Sequence, residues 1–415
     1  MTSKILFINN SKCFITDYGG YSTQMHYLLQ LFQHHYQKIF YFTACFQLNN
    51  HLPADHCYTW EELRDYSRTI CPLDFLSHDY LSSVLYFSHQ SNDPTLSIHI
   101  INHIIEKYEI NVLFFLGDVF LFRNDTDVPF SPTLQKSICW YPCHYSPLSE
   151  MDRRGLQRFD TIVALCPSVK TMLEEQFSTR KQIHYIPHIY EPCVTMGKEK
   201  VAFFREKWGV SKEAFVVFCN ASLYETTNRK AIDCQLIAFA NVYRQYPERK
   251  MLFLLHSAAQ FSNIVICEQQ FPIHPLMKAL SLPSEAFRWN TRVLSKSDVA
   301  ELYVLSDVVL CCSKSEGFGI PILEAQTYRT PVITTRFLSM KDHNWIPELI
   351  CDPSSSTLNV QQEGYWAFPS STAIAETIKK ILCHPLDSST LDEMQQKAIR
   401  CCDKQSIYRQ WMEVL

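Results

Sequence analysis

Ser313-Lys314-Ser315-Glu316-Gly317-Phe318-Gly319-Ile320-Pro321-Ile322-Leu323-Glu324-Ala325 follows the apolar run Val308-Val309-Leu310-Cys311-Cys312. The pattern reads as strand, tight turn, helix. Pro321 suits a first helical turn, where its missing N–H has no partner to lose, and Gly317 and Gly319 permit a tight backbone and close approach of a ligand. Unpaired amides at such a helix start make a seat for phosphate or sugar oxygens. Glu324 comes three residues after Pro321, so its carboxylate and that of Glu316 are expected to face one cavity. A carboxylate accepts two hydroxyl hydrogen bonds, which suits a vicinal diol such as a ribose 2′,3′ pair or a sugar 3,4 pair. Two acids beside a row of amides predict a polyol-phosphate pocket. Ile322 stands where a Gly-x-Gly-x-x-Gly fingerprint needs its last glycine, which argues against an NAD enzyme.

Outward from this stretch, short β-branched or aromatic runs alternate with longer amphipathic segments along most of the 415 residues. That alternation predicts an α/β chain with parallel sheets and crossover helices. Strands are expected at Lys4 to Asn9, Lys38 to Phe42, Val112 to Leu116, Ser137 to Tyr141, Thr161 to Leu165 and Ile183 to Ile186. In the second half they are expected at Phe215 to Cys219, Met251 to His256, Val308 to Cys312 and Val332 to Thr334. Helices are expected at Tyr21 to His34, Ser97 to Tyr108, Arg229 to Gln245, Ser297 to Val304, Pro321 to Tyr328 and Ser371 to Cys383. Pro187, Pro192, Gly197 and a Lys-rich change of composition place a boundary near 190, giving two doubly wound domains, 1–190 and 191–395. The segment around Trp411 is expected to cross back, as a helix over 396–415, onto the first domain. Ser354 to Gly364 reads as an exposed loop.

A chain of this length is too long for one ordinary core, and at 47% hydrophobic it is too apolar to be disordered. The net charge of −4 excludes the global basic field of a nonspecific nucleic-acid binder. Residues 1–190 carry 14 Lys and Arg against 18 Asp and Glu, which is no basic face for a membrane surface. The longest apolar runs, interrupted by Gly117 and Asp118, fall short of the roughly 20 residues of a membrane span. Ile5 to Ile8 is shorter than the apolar region of a secretory signal, so the expected location is the cytoplasm. The 17 cysteines are odd in number and scattered, and they read as reduced core thiols. Cys139, Cys143, His144 and Cys166 lack the second pair a zinc site needs, and no metal site is expected. Asn124-Asp125-Thr126-Asp127 contains an Asp-x-Asp string with no supporting pattern around it.

Glu316, seven residues, then Glu324, within Ser-Glu-Gly-Phe-Gly-Ile-Pro-Ile-Leu-Glu-Ala and followed by Thr330-Pro331-Val332-Ile333-Thr334, resembles the signature of retaining glycosyltransferases of family four. The resemblance implies a GT-B fold, two Rossmann-like domains facing a cleft. It extends more weakly to Gly19-Gly20, Ile186-Pro187-His188, Asn228-Arg229-Lys230 and Asp298 to Asp307. It implies that Glu316 and the amides of Gly317, Phe318, Gly319 and Ile320 hold a donor sugar, and that Glu324 holds the nucleotide ribose. Arg229 and Lys230 match the residues placed on the donor diphosphate, where positive charge stabilises the leaving group. The usual Arg lies several residues before the Lys, so Arg229 departs from the pattern. Gly19 and Gly20 match a loop over the donor phosphates. His144, in Trp140-Tyr141-Pro142-Cys143-His144-Tyr145, is the candidate facing the donor sugar, ahead of His188 and His256. Leu294 opens the stretch to Asp298 expected to shape the base and sugar pocket.

The implied reaction moves a hexose from a GDP- or UDP-sugar to a hydroxyl of a glycan or other acceptor, with retention and without a metal or other cofactor. An epimerase or hydrolase on the same fold, and a catalytically silent binding subunit, are the competing readings. Two departures stand out. Arg329 replaces the usual glycine before Thr330-Pro331, at a left-handed position costing about 1 kcal/mol for a non-glycine residue. Arg336-Phe337-Leu338-Ser339-Met340 replaces the usual Gly-Gly turn, which predicts altered loop or acceptor-side geometry.

Overall fold

The computed structural model describes residues 3–9, 20–43, 84–88, 97–125, 127–177, 181–193, 197–223, 227–257, 273–359 and 364–415. Strands β1 (Lys4–Asn9), β2 (Lys38–Thr43), β3 (Val84–Ser88), β4 (Val112–Leu116), β5 (Lys136–Tyr141), β6 (Thr161–Ala164) and β7 (Gln182–Tyr185) form one sheet, ordered β3-β2-β1-β4-β5-β6-β7. Every pairing in it is parallel. β1, β4 and β5 are buried on both faces along nearly their whole length, as a sheet covered by helices on each side requires. Helices α1 (Gly20–Phe32), α2 (Ile98–Tyr108), α3 (Glu150–Leu156) and α4 (Pro167–Phe177) supply the crossovers.

The second sheet holds β8 (Phe215–Asn220), β9 (Met251–His256), β10 (Phe287–Asn290), β11 (Val308–Cys311), β12 (Val332–Thr335) and β13 (Ile350–Cys351), ordered β10-β9-β8-β11-β12-β13 and again parallel. Its helices are α5 (Val201–Lys207), α6 (Ile232–Gln245), α7 (Ile273–Ala279), α8 (Lys296–Leu305), α9 (Ile320–Thr327), α10 (Leu338–Asp342) and α11 (Ser371–Cys383). Strand order reverses between β1 and β4 and between β8 and β11. Ligands of open α/β sheets bind beyond the carboxyl ends of strands at such switch points. The segments after β8 and β11 carry Arg229, Lys230 and the Glu316 loop.

One hydrophobic cluster runs from the first sheet (Phe7, Phe114, Trp140) across the interface to Phe218 of the second sheet and Ile322 and Leu323 of its helix α9. The chain ends in α12 (Ser388–Cys401) and α13 (Lys404–Val414), two helices where one amphipathic segment was expected. Asp403 separates them, its carboxylate accepting from Ser406 N and so capping α13. Trp411 is fully buried, edge-on to Phe114 at 5.1 Å and to Trp140 at 5.0 Å. Tyr408 Oη donates to Tyr27 O and Lys136 Nζ to Val414 O, so α13 lies on the first sheet's helices and strands.

Three other readings need correction. β3, β10 and β13 were not anticipated; they are edge or near-edge strands of two to five residues whose periodicity is too brief to see. Residues 354–364 are not simply a loop, since β14 (Ser355–Asn359) and β15 (Gly364–Phe368) pair antiparallel. The helix expected from Arg229 begins at Ile232, because Asn228 (φ 48°) and Ala231 (φ 46°) are both left-handed and turn the chain first. The Asp-x-Asp string, which has no supporting pattern in the sequence, contributes a cap, with Asp125 Oδ2 accepting from Ile98 N at the start of α2.

Candidate active site

β11 ends at Cys311, and the loop after it packs on the turn after β8. Lys314 N donates to Arg229 O at 2.8 Å and Lys314 Nζ to Thr227 O at 3.1 Å. This contact brings together the acid and the two cations predicted from sequence. Lys230 Nζ donates to Glu316 Oε1 at 2.7 Å, and an Arg229 guanidinium N–H donates to Glu316 Oε2 at 3.1 Å and to Ser315 O at 2.8 Å. Ser313 Oγ adds a hydrogen bond to Oε1 at 2.6 Å. Burial pushes the Glu316 carboxyl up, but the Lys230 and Arg229 charges with the Lys230 and Ser313 hydrogen bonds outweigh it and hold the group down at about 2. The carboxylate is therefore ionised at neutral pH, with its cations partly buried beside it. The two left-handed residues flanking Arg229-Lys230 are backbone strain of the kind that persists at functional sites.

Gly319 (φ 84°) caps α9 and Pro321 occupies its first turn. A Cβ on Gly319 would stand 2.7 Å from Ile322 Cδ1, so both the conformation and the space call for glycine. The loop also touches the other domain. A Cβ on Gly317 would meet Pro142 Cβ at 2.8 Å and His144 Cε1 at 3.3 Å, while one on Gly20 would meet Ile320 Cδ1 at 2.8 Å. The starts of α1 and α9 thus converge from opposite domains. Gly19 lies outside the described residues. Ser315 Oγ donates to His144 O at 2.6 Å, and His144 Nε2 lies 3.6 Å from Asp118 Oδ1, beyond the end of β4.

Phe318 is buried between two rings, His188 at 4.7 Å and His343 at 4.3 Å. Burial, with a smaller effect of His343, lowers the His188 imidazole well below its ordinary value; burial also lowers His343, to about 4, against the Phe318 carbonyl. Both rings are neutral at pH 7. His188 is therefore a packing residue of the interface, and His256 Nδ1 lies 3.3 Å from Asn290 O at the end of β10.

Glu324 does not share partners with Glu316. Its Oε2 accepts from Tyr303 Oη at 2.7 Å, and Asn220 Nδ2 donates to the same hydroxyl at 3.0 Å. Burial raises the Glu324 carboxyl, opposed by the Tyr303 hydrogen bond and the Lys296 charge. Leu294, partly buried against the shared core, precedes Lys296 by two residues. Sequence reading missed Ser313, Tyr303, Asn220 and Asp118, each a common residue type at the end of a strand or within a helix, with no local signal of its long-range partner. A pocket of about 500 Å³ lies elsewhere, between α4, β7 and α13, and its lining (Lys170, Glu174, His184, Glu413 among others) contains none of these groups.

Sucrose-phosphate synthase from Thermosynechococcus elongatus superposes with a TM-score of 0.70 over 99% of this chain and 98% of its own, at 16% identity. Anabaena HepE, solved in complex with UDP and glucose, gives 0.63 over 99% of both chains at 15% identity. The fold is GT-B. Within this GT-B chain, residues 280–400 match the model of Glycosyl transferases group 1, a segment that contains the Glu316 loop, α9 and Glu324. A curated relative, N-acetyl-alpha-D-glucosaminyl L-malate synthase of Bacillus anthracis, is 25% identical over 204 residues, 49% of this chain. The matched stretch spans about half the length of that relative, 47% of it. Among the described residues no helix is long and apolar enough to cross a membrane.

Proposed function

We propose that the chain is a retaining glycosyltransferase that moves a hexose from a nucleoside-diphosphate sugar, GDP- or UDP-linked, to a hydroxyl of a glycan or other acceptor. The observation that carries the reading is the Glu316 carboxylate held by Lys230 and Arg229 at the switch point of the second sheet, inside the segment matching Glycosyl transferases group 1. HepE binds UDP and glucose, which agrees with a donor of this class.

In this reading the donor diphosphate meets Lys230, Arg229 and the start of α9. An ammonium has three donors, so Lys230 can reach a phosphate oxygen without giving up Glu316. As the C1–O bond to the diphosphate breaks, these cations and amides stabilise the charge gathering on the leaving oxygen. The acceptor oxygen forms its bond to C1 on the same face, and its proton passes to the departing phosphate. The step rests on positioning and charge rather than a protein nucleophile. Glu316 orients the sugar hydroxyls, Glu324 with Tyr303 takes the ribose diol, and His144 faces the sugar from the first domain. Basic side chains and helix amides here do the work a divalent ion does elsewhere, so chelator leaves turnover intact.

The test is a thermal-shift screen with UDP, GDP, ADP and their sugar conjugates, followed by product analysis with and without acceptor. A raised midpoint with one nucleotide and acceptor-dependent sugar transfer are expected. Turnover without any acceptor would indicate an epimerase or hydrolase, and no nucleotide binding at all would indicate a silent subunit.

A further inference from the structure

We infer that the short helix α10 is a positioning element which aims two amide donors of the Glu316 loop and ties their aim to the seating of the first domain, with Asp342 as the tie. The inference rests on the proposed donor role of those amides and adds how they are oriented. It starts from the segment that replaces the usual Gly-Gly turn.

Ser339 Oγ donates to Glu316 O at 2.7 Å, and His343 Nδ1 lies 3.1 Å from Phe318 O. A carbonyl only accepts, so His343 carries its proton on Nδ1. In a planar trans peptide the C=O and the following N–H point in opposite directions. Fixing the Glu316 and Phe318 carbonyls toward α10 therefore directs the N–H groups of Gly317 and Gly319 away from it. Ser339 is fully buried and His343 nearly so; Gln326 Nε2 donates to His343 O at 2.7 Å and His343 N donates to Ser339 O at 3.0 Å, so these two holders are themselves held.

The same short helix also belongs to the first domain's packing. Leu338, in left-handed conformation (φ 40°), sits in the hydrophobic cluster built from Val169, Leu173, Ile162 and Leu6 of that domain. Asp342 receives two hydrogen bonds across the interface, from Ser168 N at 2.7 Å and Ser168 Oγ at 2.8 Å. A carboxylate so placed caps the start of α4 from another domain, where the helix dipole favours negative charge. A shift of the first domain thus pulls on Asp342, and Ser339 and His343 stand within three residues of it on the same turn. Glu316 and Phe318 feel the shift through their carbonyls.

The experiment uses the full chain and its variants Asp342→Ala, Asp342→Asn and Ser339→Ala. Hydrogen exchange is read at the amides of residues 315–320 and 166–171, and kcat and donor KM are measured alongside. Asp342→Ala is expected to speed exchange at 315–320 several-fold without touching that loop and to lower kcat about 10-fold with a smaller change in KM. Asp342→Asn, which keeps an acceptor for Ser168, is expected to restore most of both. Ser339→Ala is expected to act on 315–320 alone. Unchanged exchange at 315–320 in Asp342→Ala overturns the inference, as does equal loss of kcat in the Asn variant. A wild-type chain that binds no nucleotide would defeat the proposed function, yet the exchange comparison would still decide whether α10 couples the two regions.

Discussion

Lys230 Nζ and Glu316 Oε1 are 2.7 Å apart across 86 residues of chain. Both lie in loops after neighbouring parallel strands, β8 and β11, so the ion pair closes the switch point from two sides. Replacing Lys230 by Met leaves Glu316 with Arg229 and Ser313 as partners. Transfer is expected to fall by at least 100-fold, in the range seen when one stabilising donor is removed from an active site. Steady-state kinetics with the nucleotide sugar found in the binding screen checks this, and wild-type turnover would remove Lys230 from the mechanism.

Acid stability reports the same pair. A carboxyl held at about 2 in the folded chain, against 4.5 when free, binds fewer protons folded than unfolded. Its contribution is complete above about pH 4.5 and is lost as pH falls toward 2. Glu316→Gln should therefore flatten the acid limb of the stability curve by up to about 3 kcal/mol. Urea unfolding at a series of pH values measures it; parallel acid limbs for the two proteins would contradict the assignment.

Tyr303 opposes the burial of Glu324 by donating to its ionised form. Tyr303→Phe removes that donor and should raise the Glu324 carboxyl further. If the ionised carboxylate takes the ribose diol, nucleotide affinity falls below this group's pKa, and the midpoint of that fall moves to higher pH in the variant. Calorimetric titration with nucleotide across pH is the measurement, and an unmoved midpoint speaks against the ribose role.

Two glycines with left-handed backbone separate strain from function. Gly209 (φ 59°) faces open space, whereas Gly319 (φ 84°) has Ile322 Cδ1 2.7 Å from a would-be Cβ. Gly209→Ala should cost about 1 kcal/mol and leave turnover alone. Gly319→Ala should cost more and lower turnover, because Ile322 or the start of α9 must move. Thermal midpoints and kinetics on both variants distinguish the two.

Trp411→Ala should cost about 3 to 5 kcal/mol, the range for deleting a large buried aromatic. Its ring is fully buried against Phe114 and Trp140. Equilibrium unfolding in urea tests it, with a change below about 1 kcal/mol showing that α13 is merely laid on the surface.

The sequence made the strands and helices of the parallel sheets visible because long crossover units repeat one strong alternation. Glu316, Lys230 and the glycines were legible for the same reason, since a strand-turn-helix leaves its mark in adjacent residues. Tyr303 and Ser339 were not, because a hydroxyl gives no local hint of a partner more than 20 residues away. The spacing of Glu316 and Glu324 marked two acids at one turn and helix start, while their separate partners, Lys230 for one and Tyr303 for the other, lay beyond its reach. Arg329 shows the opposite outcome. Its left-handed backbone (φ 61°) matches the expectation, and Thr330 N closes the helix end onto Ala325 O at 2.9 Å. Its side chain holds Asp392 at 2.5 Å, a contact that only the fold reveals.

The burial of Trp411 beside Phe114 also dictates an order of events during synthesis. A ribosome delivers β1 to β7 long before residue 411 emerges, so the nascent first domain must wait with aromatic surface bare. Closure over that surface is a late step, and a truncation short of α13 leaves it open to aggregation.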